Sequence, residues 1–222
     1  MRWYVEGDTE LHALTFIFHK LGIRDITIIN LHGQVAEGAR KGVAFRESLR
    51  ADIDARRYSM VSIDGDRSDF ARAINKAIDD DQICGGVFIS RPDFETGNFS
   101  RSELESIVWK LAQDQGATIA DFQMFEEKVR GWRGINELLE RAKHTLPGQA
   151  QFLAKGDSWG QYLIEHAWQH PKWTGVDGRQ EEEDRPVIRA IRTAIRASQT
   201  NYTISRRDFR VNKEGALVRR SN

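Results

Sequence analysis

The chain has very little that would fix it covalently. One cysteine among 222 residues, Cys84, excludes an internal disulfide and a cysteine-based zinc cluster. Cys84 precedes an apolar strand pattern, so a buried thiol is its expected role. The six histidines show no H-E-x-x-H or comparable zinc spacing. No apolar run approaches the roughly 20 residues of a membrane span. The N-terminus enters a strand pattern directly, so no secretory leader is expected. There is no internal repeat and no low-complexity tract. These absences point to the cytoplasm and away from a membrane. Net charge is missing too, since 33 basic and 33 acidic residues cancel. The cancellation hides an asymmetry. From Arg185 onward there are ten Arg or Lys against two Asp or Glu, and the rest holds 23 against 31. An acidic body with a basic tail suits a metal centre joined to a polyanion-binding element. It equally suits two halves that pair with each other.

What is present is an ordinary globular composition, 40% hydrophobic and 30% charged, enough to fill the core of one large domain or of a domain plus a subdomain. Strand and helix signals alternate through the first half, which favours βαβ units and a parallel sheet. Strands are expected over 2–5, 26–31, 58–63 and 86–90, the second almost continuously apolar as a strand covered on both faces should be. Helices are expected over 9–20, closed by Gly22, over 43–56 and over 68–78. Another should start near Ser102, with Glu105 at capping-box spacing. From 117 the pattern turns helical. One stretch runs from Ile119 to His144 with Phe122, Phe125, Val129, Leu138 and Leu139 as core candidates. Another spans 158–168, and a last one opens at Pro186, a favourable first-turn proline. Residues 170–184 read as a loop, and 201–222 as a short strand with a basic tail. The expected organisation is thus an α/β core over 1–116, a helical subdomain over 117–200 and a basic segment over 201–222.

Three acidic clusters fall where three of these strands run out. Glu6 follows strand one, beside Gly7, with Glu10 four residues on in the first helical turn and Asp8 or Thr9 as candidate caps. Asp64-Gly65-Asp66 follows strand three. Asp93 and Glu95 follow strand four, behind Pro92. In an open α/β sheet, ligands bind beyond the carboxyl ends of the strands. Two acids at i and i+2 of an extended stretch point the same way. Several carboxylates a few Å apart cannot all stay ionised without a cation, and all-oxygen ligands suit a hard divalent ion. One such Asp is ordinarily a turn or cap residue; three clusters in successive βα units make a metal site the better explanation. His32 and Gly33, after strand two, are placed at the mouth of the same site.

Glu6 after the first strand and Asp64-x-Asp66 after the third resemble the two acidic motifs of the TOPRIM fold of topoisomerases, primases and related nucleases. Topoisomerases extend the second motif by a further Asp, where this chain has Ser68, and add a tyrosine-bearing domain for which it has little room. The closer resemblance is to the overcoming-lysogenisation-defect nucleases, over about residues 1–170. Glu10 matches the second acid of their first motif, and Asp93 with Glu95 matches their third. Lys155, in Ala154-Lys155-Gly156-Asp157-Ser158-Trp159-Gly160, matches the functional lysine of their helical insertion. The resemblance implies a TOPRIM-like parallel sheet flanked by helices and a DNA endonuclease using Mg²⁺ or Mn²⁺, two ions in all. Glu6, Glu10, Asp64, Asp66, Asp93 and Glu95 would hold the metals. Glu6, Asp64 and Lys155 would carry the chemistry, with a metal-activated water cutting the phosphodiester and Lys155 stabilising phosphate charge. Phage defence or DNA repair is the role that family analogy suggests. Full-length relatives carry an ATPase domain ahead of this fold. This sequence has no G-x-x-x-x-G-K-[ST] loop, so either a standalone nuclease-like protein or an excised fragment is expected, with an ATPase partner or a missing N-terminal ATPase domain.

Arg185, Arg189, Arg192 and Arg196 are spaced 4, 3 and 4 apart, the spacing of one helical face. Such a stripe can follow a phosphate backbone, stay solvated, or pair with the acids at 181–184. Trp132, Trp159, Trp168 and Trp173 can stack on unpaired bases, though core packing is their ordinary use. Two other function classes fit the same acids. One is a non-catalytic nucleic-acid-binding or regulatory module; the other is a metal-dependent phosphatase.

Overall fold

A computed structural model describes residues 1–32, 39–55, 57–65, 85–144, 155–174, 183–200, 209–211 and 217–219. Strands β1 (Arg2–Val5), β2 (Thr27–Asn30), β3 (Ser59–Asp64) and β4 (Gly85–Ser90) form one sheet in the order β2-β1-β3-β4. Every neighbouring pair is parallel. Parallel strands need both faces covered, and the two-residue alternation of side chains supplies two apolar faces. Trp3, Val5 and Met60, with Ile28 and Phe88, face one cluster; Tyr4, Val61 and Ile63, with Ile29, Val87 and Ile89, face the other. Helix α1 (Asp8–Lys20) brings Leu14, Ile17 and Phe18 to the first, and α2 (Ala39–Asp54) brings Phe45 and Leu49 to the second. The fold is therefore α/β, a four-stranded parallel sheet flanked by helices, compatible with a Rossmann-like or TOPRIM-type arrangement. The helix expected over 68–78, together with Gly33, Asp66, Ser68 and Cys84, lies outside the described residues.

The remaining elements are α3 (Arg101–Asp114), a 3₁₀ turn (Ile119–Asp121), α4 (Phe122–Val129), α5 (Ile135–Lys143), α6 (Asp157–Gln169) and α7 (Pro186–Thr200). The single helical stretch expected over 119–144 is two helices and a turn, because Arg130 leaves helical geometry and Gly131 follows at φ +74°. Phe125, Val129, Leu138 and Leu139 are buried as expected. Phe122 instead lies exposed along a groove of about 730 Å³ beside Trp109. Within the stretch expected as a loop, β5 (Lys172–Trp173) and β6 (Glu183–Asp184) pair antiparallel. Near the C-terminus β7 (Phe209–Val211) and β8 (Leu217–Arg219) do the same, where one strand was expected.

The change of character at residue 117 does not divide the core. Phe125, Leu138, Trp159, Leu163 and Ile188 belong to the same apolar cluster as Trp3 and Leu14. Helix α6 lies against α1 so closely that a Cβ at Gly160 would stand 2.6 Å from the Thr9 carbonyl oxygen and 2.9 Å from the Ala13 nitrogen. Glycine is what permits the approach, and the approach carries the start of α6 to the sheet.

A buried carboxylate pins the opposite end of the sheet. Asp52, fully buried in α2, accepts hydrogen bonds from the Tyr4 hydroxyl (2.7 Å), the Ser59 hydroxyl (2.8 Å) and Arg57 Nη1 (3.0 Å), with Arg2 Nη1 at 2.9 Å. Burial first, then the bond to Asp52, pushes Tyr4 up to about 12. Among the described residues, no helix is long and apolar enough to cross a membrane.

Candidate metal and phosphate site

The sheet changes direction of growth between β1 and β3, because β2 is added on one side of β1 and β3 on the other. The carboxyl ends of those two strands flank the crevice where open α/β sheets take ligands. Glu6 leaves β1 and Asp64 ends β3, and the crevice is theirs: the Asp64 amide donates to Glu6 Oε2 at 3.0 Å. Gly7 is the N-cap of α1, in extended conformation. The caps expected at Asp8 or Thr9 are not used; Asp8 Oδ1 instead accepts from Asn30 Nδ2 at 2.5 Å. With α1 starting at Asp8, Glu10 sits in the first turn and turns inward to 5% exposure. Its Oε2 would lie 3.1 Å from a Cβ at position 7, so the glycine makes room for that carboxylate.

The exits of β3 and β4 are tied together. The Gly65 amide donates to the Ser90 carbonyl (2.6 Å) and the Pro92 carbonyl (2.9 Å). A Cβ at Gly65 would meet Arg91 Cγ at 2.6 Å and the Ser90 oxygen at 2.9 Å. This glycine serves close approach between two strand exits rather than flexibility between two acids. Past that knot, Asp93 Oδ1 accepts from the Thr96 amide and hydroxyl, both at 2.7 Å. Glu95 is only 2% exposed. Its Oε1 accepts from Trp159 Nε1 at 3.1 Å and lies 3.0 Å from the Lys155 ammonium.

Five of the six expected acids therefore meet at one end of the sheet, joined by the expected lysine. Burial first, then the charges of Glu10, Glu6, Glu95 and Asp93, pushes Asp64 up to about 8. Glu10 goes up to about 7, by burial first, with Glu95 and Glu6 adding and its own backbone amide and Lys155 opposing. Among the described residues, Asp64 Oδ1 is buried with no hydrogen-bond partner. A buried acceptor without a donor costs about 1–3 kcal/mol. An all-oxygen set around such an orphan fits a hard divalent cation. Among the described residues no three acidic, histidine or cysteine side chains stand together as a formed metal site; Asp66, the sixth expected ligand, lies outside those residues. His32 is exposed at φ +51°, its Nδ1 4.0 Å from Asp8 Oδ1, at the rim by β2 rather than among the carboxylates.

The arginine stripe requires a correction. Arg185 is 1% exposed and cannot reach a nucleic acid. Its guanidinium donates to the His170 carbonyl (2.6 Å), the Asn98 carbonyl (2.7 Å) and both oxygens of Glu103, between the rings of Phe99 and Trp173. Arg185 precedes α7 and sits in the seam between that helix and the loop after β4, so helical spacing does not put it on the solvent face. Arg189 pairs with Glu183 at 3.0 Å and Arg192 with Asp184, while Arg196 is exposed. Trp132 and Trp159 are core residues; Trp168 and Trp173 are half-buried.

Two residues to which the sequence pattern gave no part in the acidic site hold it in place. Trp159 fixes Glu95 from α6. Asn98, 1% exposed, accepts from the Val187 amide (2.7 Å) and donates to the Phe94 carbonyl (2.8 Å), so the loop bearing Asp93 and Glu95 is anchored to α7. The spacing of Lys155 and Trp159, one helical turn, was the available signal for the first; nothing in the sequence pairs Asn98 with α7. Comparison of the chain with family models, with curated proteins and with solved structures finds no match.

Proposed function

We propose that the chain is a divalent-cation-dependent phosphodiesterase with a TOPRIM-like core, acting on DNA as an endonuclease. The observation that supports this proposal is the buried Asp64 Oδ1, without a hydrogen-bond partner among the described residues, under the charges of Glu10, Glu6, Glu95 and Asp93 at the switch point of a parallel sheet. Asp64 and Glu10, pushed toward protonation by burial first and then by neighbouring acids, are groups whose ionised form a cation would stabilise. Glu6, Asp64 and Glu95 would hold Mg²⁺ or Mn²⁺, with Glu10 and Asp93 beside them. A bound divalent cation supplies Lewis acidity toward a phosphate and a lowered pKa for water. The chain's own residues do the rest. Glu6 is oriented by the Asp64 amide, Trp159 keeps Glu95 in place, and the Lys155 ammonium offsets negative charge that builds on the phosphate in the transition state. Glu10 and Glu95 are buried, and burial strengthens such interactions.

The test is plasmid nicking with Mg²⁺ or Mn²⁺, wild type against Asp64→Ala. Removal of the central ligand is expected to lower the rate at least about 10²-fold, the scale of losing one preorganised charge-stabilising group. Intact plasmid in every wild-type lane, with both metals, removes the nuclease. A second proposal keeps the fold and drops the chemistry: a nucleic-acid-binding or regulatory module. It is favoured by the prior engagement of Asp93 by Thr96 and of Glu95 by Trp159 and Lys155. Calorimetry separates the two, because such a module binds DNA without a divalent ion.

A further inference from the structure

The acidic pocket already holds a cation of its own. Lys155 Nζ lies 3.0 Å from Glu95 Oε1, the same oxygen that accepts from Trp159 Nε1. We propose, building on the metal-site proposal above, that Lys155 is the pocket's counter-ion in its cation-free state, and that a divalent ion competes with the ammonium for Glu95. Glu95 is 2% exposed, and a carboxylate that deep is not left without a compensating charge. The lysine side chain is 40% exposed, so it is not enclosed as Glu95 is. Its backbone joint also has room. Gly156 sits at φ +144°, ψ −147°, a conformation essentially reserved for glycine, with none of the described residues within 4 Å of where a Cβ would be. The exchange breaks no covalent bond and moves no proton. An ammonium leaves one oxygen, a metal ion takes its place, and the freed ammonium stands at the rim where a substrate phosphate arrives. Entry of the metal thus turns Lys155 from a lock on Glu95 into a phosphate ligand.

Trp159 gives the exchange its own reporter, since its indole shares the contested oxygen. Mn²⁺ titrations by calorimetry at fixed pH and salt compare wild type, Lys155→Met and Arg91→Met. Arg91 is an exposed cation beside Gly65, at the same end of the sheet. Lys155→Met is expected to bind Mn²⁺ on the order of tenfold tighter, within the usual range of site-to-site couplings, while Arg91→Met stays at the wild-type value. In wild type labelled with 5-fluorotryptophan, the ¹⁹F resonance missing from Trp159→Phe is expected to shift on adding Mg²⁺. Equal or weaker Mn²⁺ binding by Lys155→Met overturns the proposal, and so does an equal gain in both variants, which would be a general field effect. Mn²⁺ binding to wild type with an unmoved Trp159 resonance overturns it as well, whatever the fate of the variants. In those three cases the metal site itself survives. No binding of Mn²⁺ to any of the three proteins removes both.

Discussion

Burial first, then its acidic neighbours, push the Asp64 carboxyl toward its protonated form. That carboxyl stands at about 8 and that of Glu10 at about 7, against roughly 4 in an unfolded chain. The sign follows directly. Below about pH 4 both states are protonated and the two groups contribute no difference. Between about pH 4 and 8 the unfolded chain gives up protons that the folded protein retains, so stability falls as pH rises. A divalent cation reverses the effect by favouring the ionised form. Without divalent ions the melting temperature is therefore expected to drop from pH 5 to pH 8, and Mg²⁺ should restore it at pH 8. At this chain length 1 kcal/mol moves the midpoint by roughly 2–4 °C, so several degrees is the expected scale. Asp64→Asn should flatten the pH slope and lose most of the Mg²⁺ response. A wild-type midpoint indifferent to both pH and Mg²⁺ would mean the carboxylates do not crowd one another.

Among the elements, the packing of α1 on α6 decides whether Lys155 and Trp159 reach the sheet at all. Gly160→Ala places a methyl against backbone atoms of Thr9 and Ala13 rather than against a side chain that can swing away. Overpacking of this kind costs typically 1–3 kcal/mol. The variant should unfold at lower urea and show the ¹⁹F resonance of Trp159 displaced even without metal, while unchanged stability would contradict the closeness of the helices. This packing was not legible in the sequence, where Gly160 read only as part of a lysine motif. Much else was. The strands betrayed themselves by apolar runs, and α1 by its spacing and by Gly22 at φ +68°. The start of α3 shows where local pattern stops short. Both Ser100-x-x-Glu103 and Ser102-x-x-Glu105 have capping-box spacing, and the box forms at Ser100. Tertiary packing chose: with Ser100 as cap, Phe99 and Leu104 take the flanking positions of a hydrophobic staple, and both are buried. Starting at Ser102 would put Arg101 and Ser106 there. Among the acids, the positions beyond the strands were legible because the apolar runs mark where each parallel strand ends. The partners of Asp52 were not, since Arg2, Tyr4, Arg57 and Ser59 come from separate segments with no common period.

At the scale of the whole molecule, the acidic body and the basic C-terminal part divide into two kinds of arginine. Arg185 belongs to the body. It stabilises Glu103, whose carboxyl burial would raise, but which hydrogen bonds from His166, Arg185 and the Ser100 amide hold well below the usual range. Arg189, Arg192 and Arg196 line α7 further out, and exposed pairs such as Arg189 with Glu183 are worth only about 0.2–1 kcal/mol, so a polyanion can compete for them. The two kinds should separate experimentally. Arg185→Met leaves Glu103 without its main cation and is expected to cost about 3 kcal/mol, roughly 6–12 °C in the midpoint. Above about pH 4 that loss should be complete, because a carboxylate held low contributes its stability above the unfolded value and surrenders it as pH falls. Arg192→Ala combined with Arg196→Ala should leave the midpoint within about 1 kcal/mol of wild type. If α7 follows a phosphate backbone, the same double variant weakens DNA binding by a similar factor on unrelated sequences. It also lowers the salt slope by about 1 for each phosphate that is no longer neutralised. A salt slope identical to wild type would leave Arg192 and Arg196 as solvated charges and move the search for the DNA path to the mouth of the acidic pocket, where Arg91 and Lys155 stand.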